Sequence, residues 1–381
     1  MARHLSSLRP VYVVGVGWHR YQPPSETPYV ALGLKAVRDA LADARLEWPA
    51  VESTYVATAR LGMACGRPML RHLGALGRPL VHIENASASG SAAFRLACTE
   101  VAAGLSDVVL AVGVDKVSDR LRASSQIGLQ SLTGSAIVPA THYALLMSEY
   151  AQRHKVRPED IALVAVKNHR NGARNENAQR RKERTLEEVL GGKRVSGTLT
   201  SLQCTPIGEG AAAVIVASED GVKRYGIDAS RTIRVVASAA NSEMVGHDEN
   251  RDAAITQAAM AAAFAEAQIA PSDLDVVELH DAFTIEEIEY AEATGICQPG
   301  RFIPMLEEGA FDIGGKCAIS PSGGLIAMGH PIGPTGLGQI GEITLQLRGE
   351  AGARQQPHAR TGLAHMVGVG AVCYVHILQR V

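Results

Sequence analysis

The chain has 381 residues, 46% of them hydrophobic and 4% aromatic, with a formal net charge of -2. Such a balance supplies no basic footprint for nucleic acid or a membrane surface, no apolar run is long enough to span a bilayer, and the core is large enough for more than one domain. Six scattered cysteines without a Cys-x-x-Cys pair exclude a zinc site and a disulfide framework within the chain, so a soluble cytoplasmic protein is the expectation.

In chain order, Val11 to Gly15 is a continuous apolar run and reads as a buried parallel strand. Thr27 then Pro28 reads as an N-cap with proline in the first turn, before Val30, Leu34, Val37, Leu41 and Ala44 at helical spacing. Val51 to Ala57, Pro79 to Ile83 and Leu105 to Val114 read as further strands, with a buried helix from Ala92 towards Gly104. Strands alternating with helices imply a parallel sheet covered on both faces. From Lys116 to about Arg194 the chain is polar and carries a basic cluster: Lys167, Arg170, Arg174, Arg180, Arg181, Lys182 and Arg184. That stretch reads either as a solvated excursion or as a phosphate-contacting surface. Regular structure resumes at Cys204 to Gly210 and the strand Ala211 to Ala217.

The second half echoes the first. Ala40 to Leu46 matches Ala263 to Ile269, and Val51 to Val56 matches Leu274 to Leu279, both at one offset. Val11 to Val14 has a counterpart in Ile233 to Val236, close to that offset. The expectation is two similar α/β halves, residues 1–228 and 229–381, with an excursion at about 116–203 inserted in the first.

Four stretches carry residues suited to chemistry. Ile83-Glu84-Asn85-Ala86-Ser87-Ala88-Ser89-Gly90-Ser91 places Ser87 on a strand-to-helix turn. There a nucleophile and an oxyanion site can share the positive end of a helix, although such turns also serve as plain N-caps. His280-Asp281-Ala282-Phe283 follows a strand, and the carboxyl ends of parallel strands are where ligands bind. Ser320 to Pro331 surrounds His330 with glycines that let backbone approach a ligand. His365-Met366-Val367-Gly368-Val369-Gly370 precedes the last strand, Ala371 to Leu378.

Together these stretches resemble the thiolase superfamily from Val11 to the C-terminus. The resemblance is closest to the branch of the sterol carrier protein x thiolase domain and the archaeal acetyl-CoA acetyltransferases. The family's landmarks are a Glu-Asn-Ala-Cys-Ala-Ser-Gly-Ser turn, a His-Asp-x-Phe motif, a Pro-Ser-Gly-Gly…Gly-His-Pro motif and a Gly-rich last turn. Here they are Glu84 to Ser91, His280 to Phe283, Pro321 to Pro331 and Val367 to Gly370. The resemblance implies a five-layered thiolase fold of two duplicated halves with an inserted loop domain. It also implies a dimer or dimer of dimers, with Val81 to Asn85 as a pairing strand. It gives Ser87 the acyl-accepting position and the Ser87 and Gly368 N–H groups the oxyanion hole. His330 would activate the nucleophile and, with His280 and a water, bind the thioester oxygen of the second substrate. Coenzyme A and acyl-CoA would be substrates, with no tightly bound cofactor and no metal. The CoA phosphates would meet Arg170, Arg174, Arg180, Arg181 and Lys182. A small zinc-ribbon and OB-fold protein is the partner the branch implies.

Two departures bear on the chemistry. Ser87 stands where the family has its nucleophilic cysteine, and Met366 and Ala282 stand where its second cysteine lies. A thiol ionises readily at a helix N-terminus, whereas a hydroxyl needs a neighbouring base. Ser320 also replaces the asparagine usual before Pro-Ser-Gly-Gly. Three readings stay open: a thiolase acting by thiolysis or Claisen condensation on a 3-oxoacyl-CoA, in which Ser87 is a natural or introduced replacement; a retro-aldolase or decarboxylase without an acyl-enzyme; and a catalytically silent CoA-binding subunit. Acyl groups from short to steroidal or aryl-substituted fit the first, benzoylsuccinyl-CoA among them.

Overall fold

The computed structural model describes residues 4–117, 139–243, 251–368 and 372–380. The first half holds strand β1 (Val11–Gln22), helix α1 (Tyr29–Ala44), strands β2 (Ser53–Ala57) and β3 (Leu80–Ile83), helix α2 (Ser89–Ala102) and strand β4 (Val108–Asp115). The excursion holds helices α3 (Pro139–His154) and α4 (Leu163–Ala173) and a hairpin of β5 (Arg194–Ser196) and β6 (Leu199–Thr200). Strand β7 (Glu209–Ser218) completes the half. The second half follows with β8 (Ile233–Ser242), α5 (Arg251–Ala267), β9 (Val276–Glu278), α6 (Thr284–Thr294), β10 (Ala318–Ile319), α7 (Thr335–Arg348), β11 (Thr361–Gly368) and β12 (Val372–Arg380).

The two halves share one topology. The first orders its strands β3-β2-β4-β7-β1, the second β10-β9-β11-β12-β8. In each, the three outer strands run parallel and the two nearest the other half pair antiparallel. They meet along β1 and β8, where Tyr12 pairs with Arg234 and Val13 with Ile233. This juncture makes one ten-stranded sheet.

Among the described residues, three large apolar cores define the layers, beside a small cluster of Tyr21, Ala178 and Met328. Val14, Val37, Leu41, Leu110 and Ile215 join α1 to the outer face of the first half-sheet. Phe94, Ala97, Val109, Val214, Val235, Ile340, Ile343 and Leu378 join α2 and α7 to the inner faces of both half-sheets. Met260, Ala263, Val277, Ile285 and Val375 join α5 and α6 to the outer face of the second half-sheet. Helix, sheet, paired helices, sheet, helix gives five layers. Helices α2 and α7 are buried on most sides, which explains why their sequences lack a polar stripe.

Three expectations need correction. Strand β1, expected to be parallel, pairs antiparallel with both β7 and β8, because it lies at the juncture of the halves. Helix α1 begins at Tyr29 with Pro28 in the N-cap position, and no side chain caps it. Thr27 has its own N–H held by Ser25 Oγ at 3.1 Å, so it sits outside the helix. The excursion is not a solvated loop in its described part. Ala144, Met147, Tyr150, Ile161, Val164, Val189 and Leu199 bury against Ile288, Tyr290 and Ile326 of the second half. Its polarity misled because α4 also buries Lys167, Asn168 and Asn171. Residues 118–138 of this stretch lie outside the described residues.

Candidate active site

Ser87 lies between β3 and α2, at the carboxyl end of a parallel strand. The turn is held by its neighbours. The Asn85 N–H donates to Ser89 Oγ (2.8 Å), that hydroxyl donates to the Ala86 carbonyl (2.6 Å), and the Ala86 N–H donates to Glu84 Oε1 (2.8 Å). Ala86 adopts φ 48°, a left-handed conformation that L-residues adopt at a cost of about 1–2 kcal/mol. Glu84 and Ser89 therefore hold the turn, and the Ser87 hydroxyl turns elsewhere. It lies 3.0 Å from His330 Nε2.

That meeting depends on how closely the N-termini of α2 and α7 approach. A Cβ on Gly90 would stand 2.7 Å from the Gly333 carbonyl oxygen, and one on Gly336 would stand 2.3 Å from Ser91 Oγ. Any side chain at either position would push the two helices apart. Asp115, at the end of β4, fixes the same loop by accepting from the Gly333 N–H at 2.6 Å and from Thr58 Oγ1 at 2.6 Å.

The tautomer of His330 follows from its partners. Thr335 Oγ1 donates to the Pro331 carbonyl at 2.5 Å, so towards His330 Nδ1, 2.9 Å away, it can only accept. Nδ1 then carries the proton, and the Nε2 lone pair faces Ser87. Burial, with help from His280 and Arg60, holds the His330 imidazolium well below its usual range. The result is a neutral imidazole poised to take a hydroxyl proton.

His280 follows β9, and its ring lies 5.3 Å from that of His330, edge to face. Its Nδ1 is 2.9 Å from Glu286 Oε1, while its Nε2 is buried without a partner. The His280 N–H points at His365 Nδ1, 3.4 Å away. His365 Nε2 lies 2.9 Å from Thr256 Oγ1. Asp281 is structural, since its Oδ1 accepts from the Leu325 N–H and its Oδ2 from Asn168 Nδ2, both at 2.6 Å. Burial and the neighbouring Glu287 push its carboxyl well up. A Cβ on Gly324, which has φ +57°, would stand 1.9 Å from Asp281 Oδ2, so this position accepts glycine alone. Glu278 holds Ser322 through N–H (2.9 Å) and hydroxyl (2.8 Å), and its carboxyl is pushed up to about 8 by burial beside Glu342.

The structure places no thiol at this site among the described residues. Ala282 and Met366 are buried at the family's second-cysteine positions. Cys204 is drawn close by a bridge to Phe283. Its Sγ donates to the Thr200 carbonyl instead, and burial pushes the thiol up to about 12. Gly368 packs against the nucleophile turn: a Cβ there would stand 2.6 Å from the Asn85 carbonyl oxygen. Val369 and Gly370 lie outside the described residues.

The basic cluster does not form one surface. Arg180 is corrected outright, because its guanidinium donates to the carbonyls of Cys204 (2.8 Å), Ile326 (3.0 Å) and Ser201 (3.0 Å) and clamps the excursion to the Gly-rich loop. Lys167 is buried and paired with Glu287 at 3.0 Å. Arg170 pairs with Asp312, and Lys182 pairs with Glu188. Arg174 and Arg181 are exposed. Motif reading overlooked Thr335 and Glu286, and it singled out the stretch of His365 without giving that residue a role. Only Glu286 carried a signal, since a Glu three residues after Phe283 marks a helix start.

Comparisons with known proteins agree with this architecture. The family described as Thiolase, N-terminal domain matches residues 22–186, and Thiolase C-terminal domain-like matches residues 237–380. Sterol carrier protein 2 of Gallus gallus is 36% identical, covering 96% of this chain and 71% of the relative. Benzoylsuccinyl-CoA thiolase subunit BbsB of Thauera aromatica is 35% identical over 95% of both chains. Acetyl-CoA acetyltransferase of Methanothermobacter thermautotrophicus is 32% identical over 98% of this chain and all of that one. Among solved structures, an Ltp2-ChsH2(DUF35) aldolase superposes with TM-score 0.82 at 20% identity, covering 98% of each chain. Human mitochondrial 3-ketoacyl-CoA thiolase in complex with CoA superposes with TM-score 0.76 at 19% identity, covering 100% of each. With its duplicated five-layer fold and these matches over nearly its whole length, the chain belongs to the thiolase family of acyltransferases.

Proposed function

We propose that the chain breaks or forms the carbon–carbon bond of a 3-oxoacyl-CoA, by thiolysis or Claisen condensation, with Ser87 as the acyl carrier. The single observation behind this is the 3.0 Å approach of Ser87 Oγ to His330 Nε2, with the Nδ1 proton of His330 held by Thr335. Ser87 attacks the C3 carbonyl and His330 takes its proton. The Ser87 and Gly368 N–H groups serve the developing oxyanion. Cleavage of C2–C3 releases a thioester enolate, and the proton gained by His330 lets its Nε2 donate to the enolate oxygen. The 35% identical relative named for benzoylsuccinyl-CoA supports an aryl-substituted substrate. Arg174, Arg181 and Lys182 of the basic cluster are exposed and serve the CoA phosphates in this reading.

The working unit in this reading is a dimer, or a dimer of dimers, paired through Val81 to Asn85 at the sheet edge. Its halves divide at residues 228 and 229, and the loop domain spans about 116–203. The relative's description as a subunit and the DUF35 protein in the aldolase neighbour support a small zinc-ribbon and OB-fold partner.

One observation favours a second reading. No thiol reaches the site among the described residues, and the neighbour at TM-score 0.82 is an aldolase. Retro-aldol cleavage would use the histidines without an acyl-enzyme.

The test is turnover of a panel of 3-oxoacyl-CoA thioesters, benzoylsuccinyl-CoA included, with free CoA. This chain, Ser87→Cys and Ser87→Ala are compared with and without a candidate small partner. The expected result is an acyl adduct on Ser87 by mass spectrometry and loss of thiolysis in Ser87→Ala. Undiminished turnover by Ser87→Ala sinks the covalent reading and favours the aldol one.

A further inference from the structure

The family-type site lacks its second thiol here, so some other group must move the proton at C2. Glu286 is fully buried in the first turn of α6. Its Oε2 accepts from the Phe283 N–H at 2.9 Å, which locks the carboxylate at the helix start. Its Oε1 lies 2.9 Å from His280 Nδ1 and 3.3 Å from the Tyr290 hydroxyl. A capping glutamate needs only the first of these contacts. The second fixes the His280 tautomer with its proton on Nδ1, and leaves Nε2 buried and unpartnered beside His330. A buried polar atom without a partner is costly, and one aimed into a reaction site points to an absent reactant.

We infer that Glu286 and His280 form a carboxylate–imidazole pair that replaces the missing cysteine as the proton carrier at the substrate α-carbon, with Glu286 as the positioning residue. This rests on the CoA-thioester carbon–carbon chemistry proposed above and gives His280 a different role from the water-bound one the family resemblance implies. The proton balance closes. When the C2–C3 bond breaks, its electron pair remains on the enolate. That pair then takes the Nε2 proton of imidazolium His280 to form the new C–H bond. Once that thioester has left, Nε2 regains a proton from solvent, and CoA, having lost its thiol proton to solvent, attacks the ester on Ser87 as the thiolate. Ser87 Oγ leaves with the proton that His330 has kept. One 3-oxoacyl-CoA and one CoA become two acyl-CoA thioesters. The Glu286 carboxylate stabilises the imidazolium form and holds the ring as the charge comes and goes.

Other groups face this pair. Tyr143 and Asp252 lie beside Glu286, with the Tyr143 hydroxyl 3.2 Å from Asp252 Oδ2. Burial, reinforced by Glu286, pushes the Asp252 carboxyl up. Tyr290 lies between Glu286 and His365, and His330 lies across the site. Of these, only Glu286 touches the His280 side chain with a charged atom.

Two half-reactions separate the roles. Deuterium uptake at the α-carbon of acetyl-CoA and succinyl-CoA in heavy water reports the His280 step. Exchange of labelled CoA into 3-oxoacyl-derived acyl-CoA reports the Ser87–His330 step. Glu286→Gln keeps the shape and an acceptor oxygen. It should slow α-deuteration about 10- to 100-fold, the usual scale for losing a carboxylate behind a functional histidine. CoA exchange should stay within about threefold. A purely structural glutamate would lower both half-reactions together. Glu286→Asp, which retains charge but shortens the arm, should recover part of the rate. The inference is overturned if Glu286→Gln deuterates at the unmodified rate, if both half-reactions fall equally, or if the unmodified protein does not deuterate either thioester. Failure of the acyl-carrier reading shows separately, as CoA exchange missing while Glu286-dependent deuteration persists.

Discussion

Thr335→Val tests whether the proton position on His330 matters. Valine keeps the shape of threonine but removes the oxygen 2.9 Å from His330 Nδ1. The Nδ1–H would then be buried without an acceptor, a state worth about 1–3 kcal/mol against the competent tautomer. The imidazole escapes by moving its proton to Nε2, where it can no longer accept from Ser87. At about 1.36 kcal/mol per tenfold, the acylation rate should drop about 5- to 150-fold. KM should change little, because Thr335 lies behind the histidine and is buried. The pH profile sharpens the test. Burial, His280 and Arg60 keep His330 neutral well below its ordinary range. The acylation rate of the unmodified protein should therefore be flat through neutrality and fall only on the acid side, as pH drops through that lowered value. Thr335→Val should lower the plateau without bringing the fall up into the neutral range. Exchange of labelled CoA from about pH 5 to about pH 9 measures both. A variant within about twofold of the unmodified rate across that range would refute the assigned tautomer.

Two stability predictions follow from strain and charge. Ser320 is buried in a left-handed conformation (φ 53°) with its hydroxyl unpartnered. Ser320→Gly relieves about 1–2 kcal/mol of strain and an orphaned hydroxyl at about 0.5–1 kcal/mol of chain entropy, for a net gain of about 1 kcal/mol in urea unfolding. Loss of stability there would mean the loop needs that side chain. Asp43 accepts from the Val16 N–H (2.9 Å) and pairs with Arg231 (2.7 Å) and Arg348 (2.8 Å), tying α1 to the second half. Burial opposes its charge, yet the two arginines and the backbone bond hold its carboxyl below the usual range. A depressed carboxyl contributes stability above its unfolded value, near about 3.9, and loses it as pH falls through the folded value. Asp43→Asn should thus cost about 2–4 kcal/mol at neutral pH, with the gap from the unmodified protein narrowing as pH falls through that lowered folded value. A gap that stays constant with pH would remove the charge from the explanation.

The duplicated architecture was legible because period and register survive in the residues. The offset between Val51 to Val56 and Leu274 to Leu279 reappears in the structure, where β2 starts at Ser53 and β9 at Val276. Strands buried on both faces read as continuous apolar runs, so β4 and β7 stood out. The excursion was misread because helix packing there buries lysine and asparagine, which local polarity counts as solvent-facing. Arg180 shows the same failure at one residue, since a guanidinium aimed at three carbonyls looks no different in sequence from one awaiting a phosphate.

Sequence by itself determined the two α/β halves, the strand-to-helix turn at Ser87 and the loss of both expected thiols, because spacing and residue type are local properties. It named Ser87, His280, His330 and Gly368 without saying how they meet. Tertiary structure alone decided that glycines at the crossing of α2 and α7 bring Ser87 Oγ to 3.0 Å from His330, that Thr335 sets which nitrogen holds the proton, and that Glu286 stands behind His280. Directional hydrogen bonds between residues far apart in the chain depend on side-chain placement to within a fraction of an ångström, and packing of the whole fold supplies that placement.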